Sequence, residues 1–269
     1  MIALVLVALS LSPLERDVLS ELQALRADPP AYARHAQALL PQFRGKLIER
    51  PGKAALQTSE GAAAVKEAIA VLRATPRLPR IDAAAGITLA ARQHANDIGA
   101  SGSTEHAGRD GSRPADRMQR FGQWLELAGE NLAFGPRTGR DVVLKLVIDD
   151  GVPSRGHRKN LLNPIYRVAG VACARHKVFE VVCVIDVAGG YRDKAGLQGD
   201  EVTIKSPPPT REAFRIYALR MASEGDRRWV EVNDSTRPLD RAALETLLRA
   251  HPELADDPMA KKARAYLAR

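Results

Sequence analysis

Two consecutive runs rich in β-branched residues constrain the fold of this chain more than any other feature. Residues 168–174 and 178–187 are separated by a short turn, which is the pattern of an antiparallel hairpin. Upstream, apolar residues recur at helical spacing, and Ser12 and Asp28 mark the start and the end of a first helix. We expect further helices at 31–40, 62–74, 83–100 and 115–121 and after Thr138, a long loop at 42–61, and a short strand at 131–134. The pattern predicts an α+β fold.

Composition limits the class of protein further. The chain has 269 residues, 45% of them hydrophobic and 27% charged, as in an average soluble globular protein of one or two domains. Its net charge of +8 is modest for this length, so nucleic acid is not expected as a partner. Two cysteines are too few for a disulfide-dense scaffold or a four-cysteine zinc site.

The first residues predict export. Residues 2–11 form an apolar run that is too short to span a bilayer but suits the core of a signal peptide. No basic residues precede the run, so a short buried segment and a misplaced start codon are the alternatives. If the segment is a signal peptide, the mature protein begins near Ser12 and is secreted or periplasmic.

The chain divides by composition into four parts. Residues 1–11 are the predicted signal peptide, 12–190 the main domain, 191–209 a linker with consecutive prolines, and 210–269 a small C-terminal α/β extension of unknown role. No later run approaches the ~20 apolar residues of a membrane-spanning helix, so none is expected.

Three polar clusters interrupt the main domain, at 105–111, 129–131 and 154–163. They contribute His106, Glu130 and His157, a ligand set that suits a divalent metal with an open position. Their separations of 24 and 27 residues do not match the tight spacing of metal-binding helices. The alternative is that each histidine hydrogen-bonds a loop backbone.

The order of these clusters resembles the CAP superfamily (the SCP domain of cysteine-rich secretory, antigen 5 and pathogenesis-related 1 proteins). The resemblance is carried by Gly129-Glu130-Asn131 and by Gly156-His157-Arg158-Lys159-Asn160-Leu161-Leu162. It implies a three-layer α-β-α sandwich with a mostly antiparallel central sheet. The scarcity of cysteines suggests a bacterial-type member.

The resemblance also implies a cleft of two histidines and two acidic residues. His106, Glu130 and His157 match three of these positions, and the two histidines would hold the metal, with zinc as the expected ion. The second acid of the family follows the first histidine by roughly ten residues. In this chain that stretch is 114–120, and Asp116 is the only acid within it.

Two functions follow from such a cleft. The first is a secreted binding module that holds a divalent metal and a small-molecule, lipid or glycan ligand. The second is a metal-assisted hydrolase of peptide, cell-wall or ester bonds, with Glu130 as candidate acid or base. Ser154 lies three residues before His157, but no nucleophile elbow surrounds it, so we expect it to cap the turn before Gly156.

The cysteines and the remaining histidines carry weaker predictions. A three-residue turn at 177–179 would place Cys173 opposite Cys183, within reach of a disulfide, whereas a two-residue turn would leave both as free thiols. His94 lies on the apolar stripe of its helix and is expected to be a hydrogen-bonded core residue. His35 and His176 are expected at the surface.

Overall fold

A computed structural model describes residues 11–49, 55–194 and 249. Apart from Leu11 and Arg249, the predicted signal peptide and C-terminal extension lie outside the described residues. The described helices are α1 (Pro13–Ala27), α2 (Pro29–Gln37), α3 (Ala62–Ala74), α4 (Ala85–Ser101), α5 (Pro114–Phe121), α6 (Gly139–Ile148) and α7 (Gly156–Leu161). The strands are β1 (Phe43–Arg44), β2 (Leu47–Ile48), β3 (Leu56–Gln57), β4 (Asp82–Ala83), β5 (Gly122–Phe134), β6 (Val168–His176) and β7 (Glu180–Asp193).

The central sheet has the strand order β4-β6-β7-β5 and is mostly antiparallel, with only the short β4 running parallel to its neighbour β6. One face packs against α1, α2, α3 and α6 through the largest hydrophobic cluster, and the other face packs against α4 and α5. This is the three-layer α-β-α sandwich, so the predicted fold is confirmed. No helix in the described ranges is both long and apolar enough to cross a membrane.

Helix α1 begins and ends at the residues that the sequence predicts, whereas α2 covers Pro29–Gln37 rather than 31–40. The Ser12 side chain accepts a hydrogen bond from the Glu15 backbone, and the Glu15 carboxylate accepts one from the Ser12 backbone, which completes a capping box. Asp28 ends α1 and caps α2 by accepting a hydrogen bond from Ala31. The packing of α4 on β6 depends on Gly170, since a Cβ there would lie 2.3 Å from the Ile87 backbone.

Three of the differences from the prediction concern the strands. The segment expected to be a loop at 42–61 contains the small sheet β1-β2-β3. The short strand expected at 131–134 is the end of the thirteen-residue β5, whose length follows from its pairing with β7. Strand β7 itself continues to Asp193 and so passes the domain boundary predicted at residue 190.

The β6–β7 hairpin decides between the two cysteine alternatives. His176 pairs with Glu180, so the turn contains three residues, and Cys173 faces Cys183 directly across the strands. Their Cα atoms lie 4.1 Å apart and the two residues form a disulfide, which suits a non-hydrogen-bonded position of an antiparallel pair. Of the two alternatives that the sequence leaves open, the three-residue turn with a bridge is the one observed.

Candidate functional site

Glu130 occupies the centre of a buried polar cluster on the α4 face of β5. Its Oε1 lies 2.7 Å from Nδ1 of His106, and its Oε2 accepts a 2.7 Å hydrogen bond from Arg117 on α5. Arg117 is itself buried and donates to the carbonyl oxygens of Ser112 and His106. One arginine therefore fixes both the carboxylate and the loop that carries His106.

This arrangement determines which ring nitrogen of His106 is available. A carboxylate only accepts hydrogen bonds, so Nδ1 of the neutral His106 ring carries the proton and Nε2 keeps its lone pair. The His106 side chain is 49% exposed, whereas that of Glu130 is 1% exposed. The half-exposed imidazole therefore has an unprotonated nitrogen that can bind a metal ion, and it is held by a buried carboxylate.

Burial and charge act on the pKa of Glu130 in opposite directions. Burial raises it, but the hydrogen bond from His106 and the positive charge of Arg117 outweigh burial and hold the pKa below its usual value. Glu130 is therefore an ionised carboxylate in the interior, with both oxygens engaged by donors.

A second acid, Asp186, faces Glu130 across the β5–β7 pair. It is completely buried, and neither of its oxygens accepts a hydrogen bond from a donor in the described part of the chain. Burial, followed by the adjacent negative charge of Glu130, raises the pKa of Asp186 well above its usual value. Asp186 is therefore expected to keep its proton at neutral pH and to share it with Glu130.

His94 closes the cluster from α4. Its side chain is fully buried, and Nε2 lies 3.1 Å from the carbonyl oxygen of Glu105 and 3.7 Å from Oε1 of Glu130. Burial lowers the pKa of His94, so the ring is neutral and donates from Nε2 to the carbonyl. The prediction of a hydrogen-bonded core histidine is confirmed.

His157 is held in the same manner by another acid. Its Nδ1 lies 2.6 Å from Oδ1 of Asp149, and the other oxygen, Oδ2, accepts hydrogen bonds from the backbone N–H groups of His157 and Arg158 at the start of α7. Asp149 is buried, whereas the His157 side chain is 26% exposed. Nε2 of His157 is therefore also left unprotonated and available as a metal ligand.

The loop before α7 is fixed by ion pairs. Arg155, in the left-handed region at φ 52°, contacts both Glu60 and Glu67. Arg158, buried on α7, donates to Glu67 and to the carbonyl oxygens at the end of α6. These contacts join α3, α6 and α7, so the orientation of His157 is set by three helices.

The two histidine supports meet at the edge strand β5. Asn160, one turn after His157 on α7, lies 3.4 Å from the carbonyl oxygen of Glu130 and 3.2 Å from Oδ1 of Asn131. The side chain of Glu130 holds His106 from the α4 layer. The support of His106 and the helix that carries His157 thus meet at the same segment of one strand.

The sequence comparisons identify this arrangement. Residues 66–186 match the family model described as CAP, the Cysteine-rich secretory protein family. A curated relative, the uncharacterized protein YkwD of Bacillus subtilis (strain 168), is 34% identical over 85 residues, which are 32% of this chain and 31% of that protein. Residues 66–186 form a CAP domain. The match spans about a third of the length of this relative.

Two solved structures are also similar to the CAP domain. An extracellular protein containing a SCP domain from Bacillus anthracis str. Ames is 26% identical, over 41% of this chain and 34% of that chain, with a TM-score of 0.34. An outer surface protein from Borrelia burgdorferi is 20% identical, over 51% of this chain and 98% of that chain, with a TM-score of 0.37. Superpositions at this level carry no weight, so the family membership rests on the sequence matches.

The other two predicted cleft residues of the CAP domain have different surroundings. Asp116 lies in the first turn of α5, where its carboxylate accepts a hydrogen bond from the backbone of Arg113, the residue that precedes the helix. Ser154 is exposed, and the N-cap position of α7 is occupied by Arg155, whose side chain makes no capping hydrogen bond. The first backbone donors of α7 are taken by Asp149.

Sequence reasoning missed the two acids that complete the site. Asp186 was detectable as the one charged residue inside the apolar run of β7. Asp149 carried no comparable signal, because its role depends on a tertiary contact with α7. His176, expected at the surface, is 1% exposed, and that prediction is wrong because its ring packs against Phe134 and Phe179.

Proposed function

We propose that this CAP-domain protein is exported and that its cleft binds a divalent metal through Nε2 of His106 and Nε2 of His157. The observation that supports this proposal is the matched pair of supports: each histidine donates from Nδ1 to a buried carboxylate, Glu130 or Asp149. Carboxylates in this position fix the tautomer and raise the basicity of metal-binding imidazoles.

The two imidazole nitrogens limit which ion could bind and which other ligands it could have. Imidazole nitrogens suit zinc and other borderline cations. No three His, Cys, Asp or Glu side chains within 11–49 and 55–194 form a group that could hold a metal ion. Two imidazoles would therefore leave the remaining positions for water or for a small-molecule, lipid or glycan ligand, to which the cation offers a Lewis-acid centre.

The state of Glu130 favours binding over hydrolysis. A general acid or base must reach the reacting group with a free oxygen. Both oxygens of Glu130 are held, one by His106 and the other by Arg117, and the side chain is 1% exposed. We therefore place Glu130 as the support of His106, and the metal-assisted hydrolase is the less favoured function.

Export is supported by the disulfide and by the apolar run at 2–11. A Cys173–Cys183 bridge is stable in an oxidising compartment and rare in the reducing cytosol. The test is to determine the location and the N-terminal residue of the protein made by the native cell. A processed extracytoplasmic chain beginning near Ser12 supports export, and an unprocessed cytosolic protein with free thiols contradicts it.

The metal proposal is tested by zinc binding to protein purified without metal-affinity resin. Titration calorimetry should give one Zn²⁺ site that is lost in H106A/H157A and retained in H35A, which removes a half-buried histidine of α2. D149N should keep the fold, because Asn tolerates the left-handed backbone at this position, and should weaken zinc affinity about 10–100-fold. Equal affinity in H106A/H157A and H35A would refute the site.

A further inference from the structure

The tip of the β6–β7 hairpin exposes apolar side chains. We define the hairpin tip as residues 177–180, which are the three turn residues and the first residue of β7. Val178 is 64% exposed and Phe179 is 43% exposed, and they are adjacent in the chain. The other exposed large hydrophobic residues in the described ranges are Leu47, Leu56 and Val71, outside the central sheet.

This tip is held in one conformation. Nδ1 of the buried His176 accepts hydrogen bonds from the backbone N–H groups of Val178 and Phe179, at 3.2 and 3.1 Å. Nε2 of the same ring donates to the carbonyl oxygen of Ser103, at 3.0 Å. The Cys173–Cys183 disulfide closes the hairpin behind the tip. The two apolar side chains are thus presented on a rigid support, which reduces the entropy lost when they bind.

Positive charge surrounds the tip. Arg175 and Lys177 are exposed and have no acidic partner among residues 11–49 and 55–194. Arg137 pairs with Glu180, but both side chains are 69% exposed, so this pair contributes little stability. The three cations line a groove of about 740 Å³ beside the tip, with Leu14 and Val181 among its apolar walls.

Ser12 also lines this groove. The positive charge and the exposed apolar side chains thus lie at the same end of the domain.

We propose that the hairpin tip docks on the surface of an anionic lipid membrane. Val178 and Phe179 enter the boundary between headgroups and acyl chains, while Arg137, Arg175 and Lys177 meet the lipid phosphates. Two apolar residues fall well short of the ~1,000 Å² that a specific protein interface buries. Shallow insertion assisted by juxtamembrane cations requires no such area.

This surface is separate from the metal cleft. The tip and the Glu130–Asp186 pair share strand β7, along which Asp186 lies six positions after Glu180. At about 3.4 Å per residue, this is roughly 20 Å. Docking therefore does not depend on the metal proposal, and H106A/H157A should bind membranes as the parent does.

The test is sedimentation of the full chain with sucrose-loaded vesicles of equal parts phosphatidylglycerol and phosphatidylcholine. We expect V178D/F179D to weaken binding about tenfold or more, and R175Q/K177Q to weaken it about fivefold for each charge removed. The matched controls are L47D/L56D, which alters exposed leucines elsewhere, and K66Q/R77Q, which removes two exposed cations near α3. The apolar run is common to all variants, so differences among them report on the tip.

A second measurement follows the tip directly. The emission of F179W should be quenched by brominated lipid more than that of the parent, in anionic vesicles only. Circular dichroism and thiol titration confirm that each variant is folded and bridged. Binding of the parent to anionic vesicles that V178D/F179D leaves unchanged would overturn the proposal. No binding of the parent would also overturn it and would leave the tip as a surface for a protein partner.

Discussion

The buried acid pair makes the stability of this CAP domain depend on pH in a predictable direction. In an unfolded chain an aspartate titrates near pH 3.9. Burial and the charge of Glu130 raise the pKa of Asp186 in the folded protein. Above about pH 5 the unfolded chain has therefore released a proton that the folded protein still holds. At this group the unfolded state binds fewer protons, so the contribution of Asp186 to stability falls as pH rises.

Replacing Asp186 by Asn removes this loss of stability with rising pH. The Asn amide keeps the shape of the side chain and can donate to Glu130 as the protonated acid does. As pH rises, the free energy of unfolding of D186N should therefore increase relative to that of the parent. The increase should be about 1.4 kcal/mol for each pH unit over which folded Asp186 keeps its proton.

Urea unfolding followed by circular dichroism at pH 5, 6 and 7 measures this difference, provided that the m-values agree. Glu130, whose pKa is lowered, stays ionised in both states over this range and does not contribute to the slope. D28N is the matched control, because Asp28 is exposed and Asn caps a helix equally well. A difference between D186N and the parent that stays constant from pH 5 to 7 would refute a protonated Asp186.

Three further predictions concern the same core. E130Q leaves the Arg117 charge buried without its partner and should cost about 3–5 kcal/mol, measured by urea unfolding at pH 7; a loss below 1 kcal/mol would contradict the ion pair. C173A/C183A removes a bridge with a sequence separation of 10 and should cost about 2–3 kcal/mol under oxidising conditions, whereas an unchanged midpoint would show that the bridge is dispensable. G170A places a Cβ 2.3 Å from the Ile87 backbone and should cost about 1–3 kcal/mol by separating α4 from β6, with G156A as control because a Cβ at Gly156 makes only an ordinary 3.6 Å contact with Ser154.

Local sequence patterns were sufficient for the longer helices and the hairpin. The helix at 62–74 is observed at those residues, and α1 begins and ends at its predicted caps, because helical periodicity and capping are local properties. The strands of two residues within 42–61 have no alternation to detect. The first part of β5 was missed because its strand conformation comes from pairing with β7, which is a tertiary contact.

The residues of the candidate site likewise fall into those that the sequence predicts and those that only the fold reveals. His106, Glu130 and His157 were found from motifs, because their residue types and order are visible in one chain. Their partners Asp149 and Asp186 were not, since what each acid does depends on the side chain it meets after folding. Asp186 illustrates the limit: a single acid in an apolar strand signals a buried charge, but only the facing Glu130 shows that this acid should be neutral. A search for isolated acids in core strands would find such residues, and the register of the neighbouring strand would then decide their protonation.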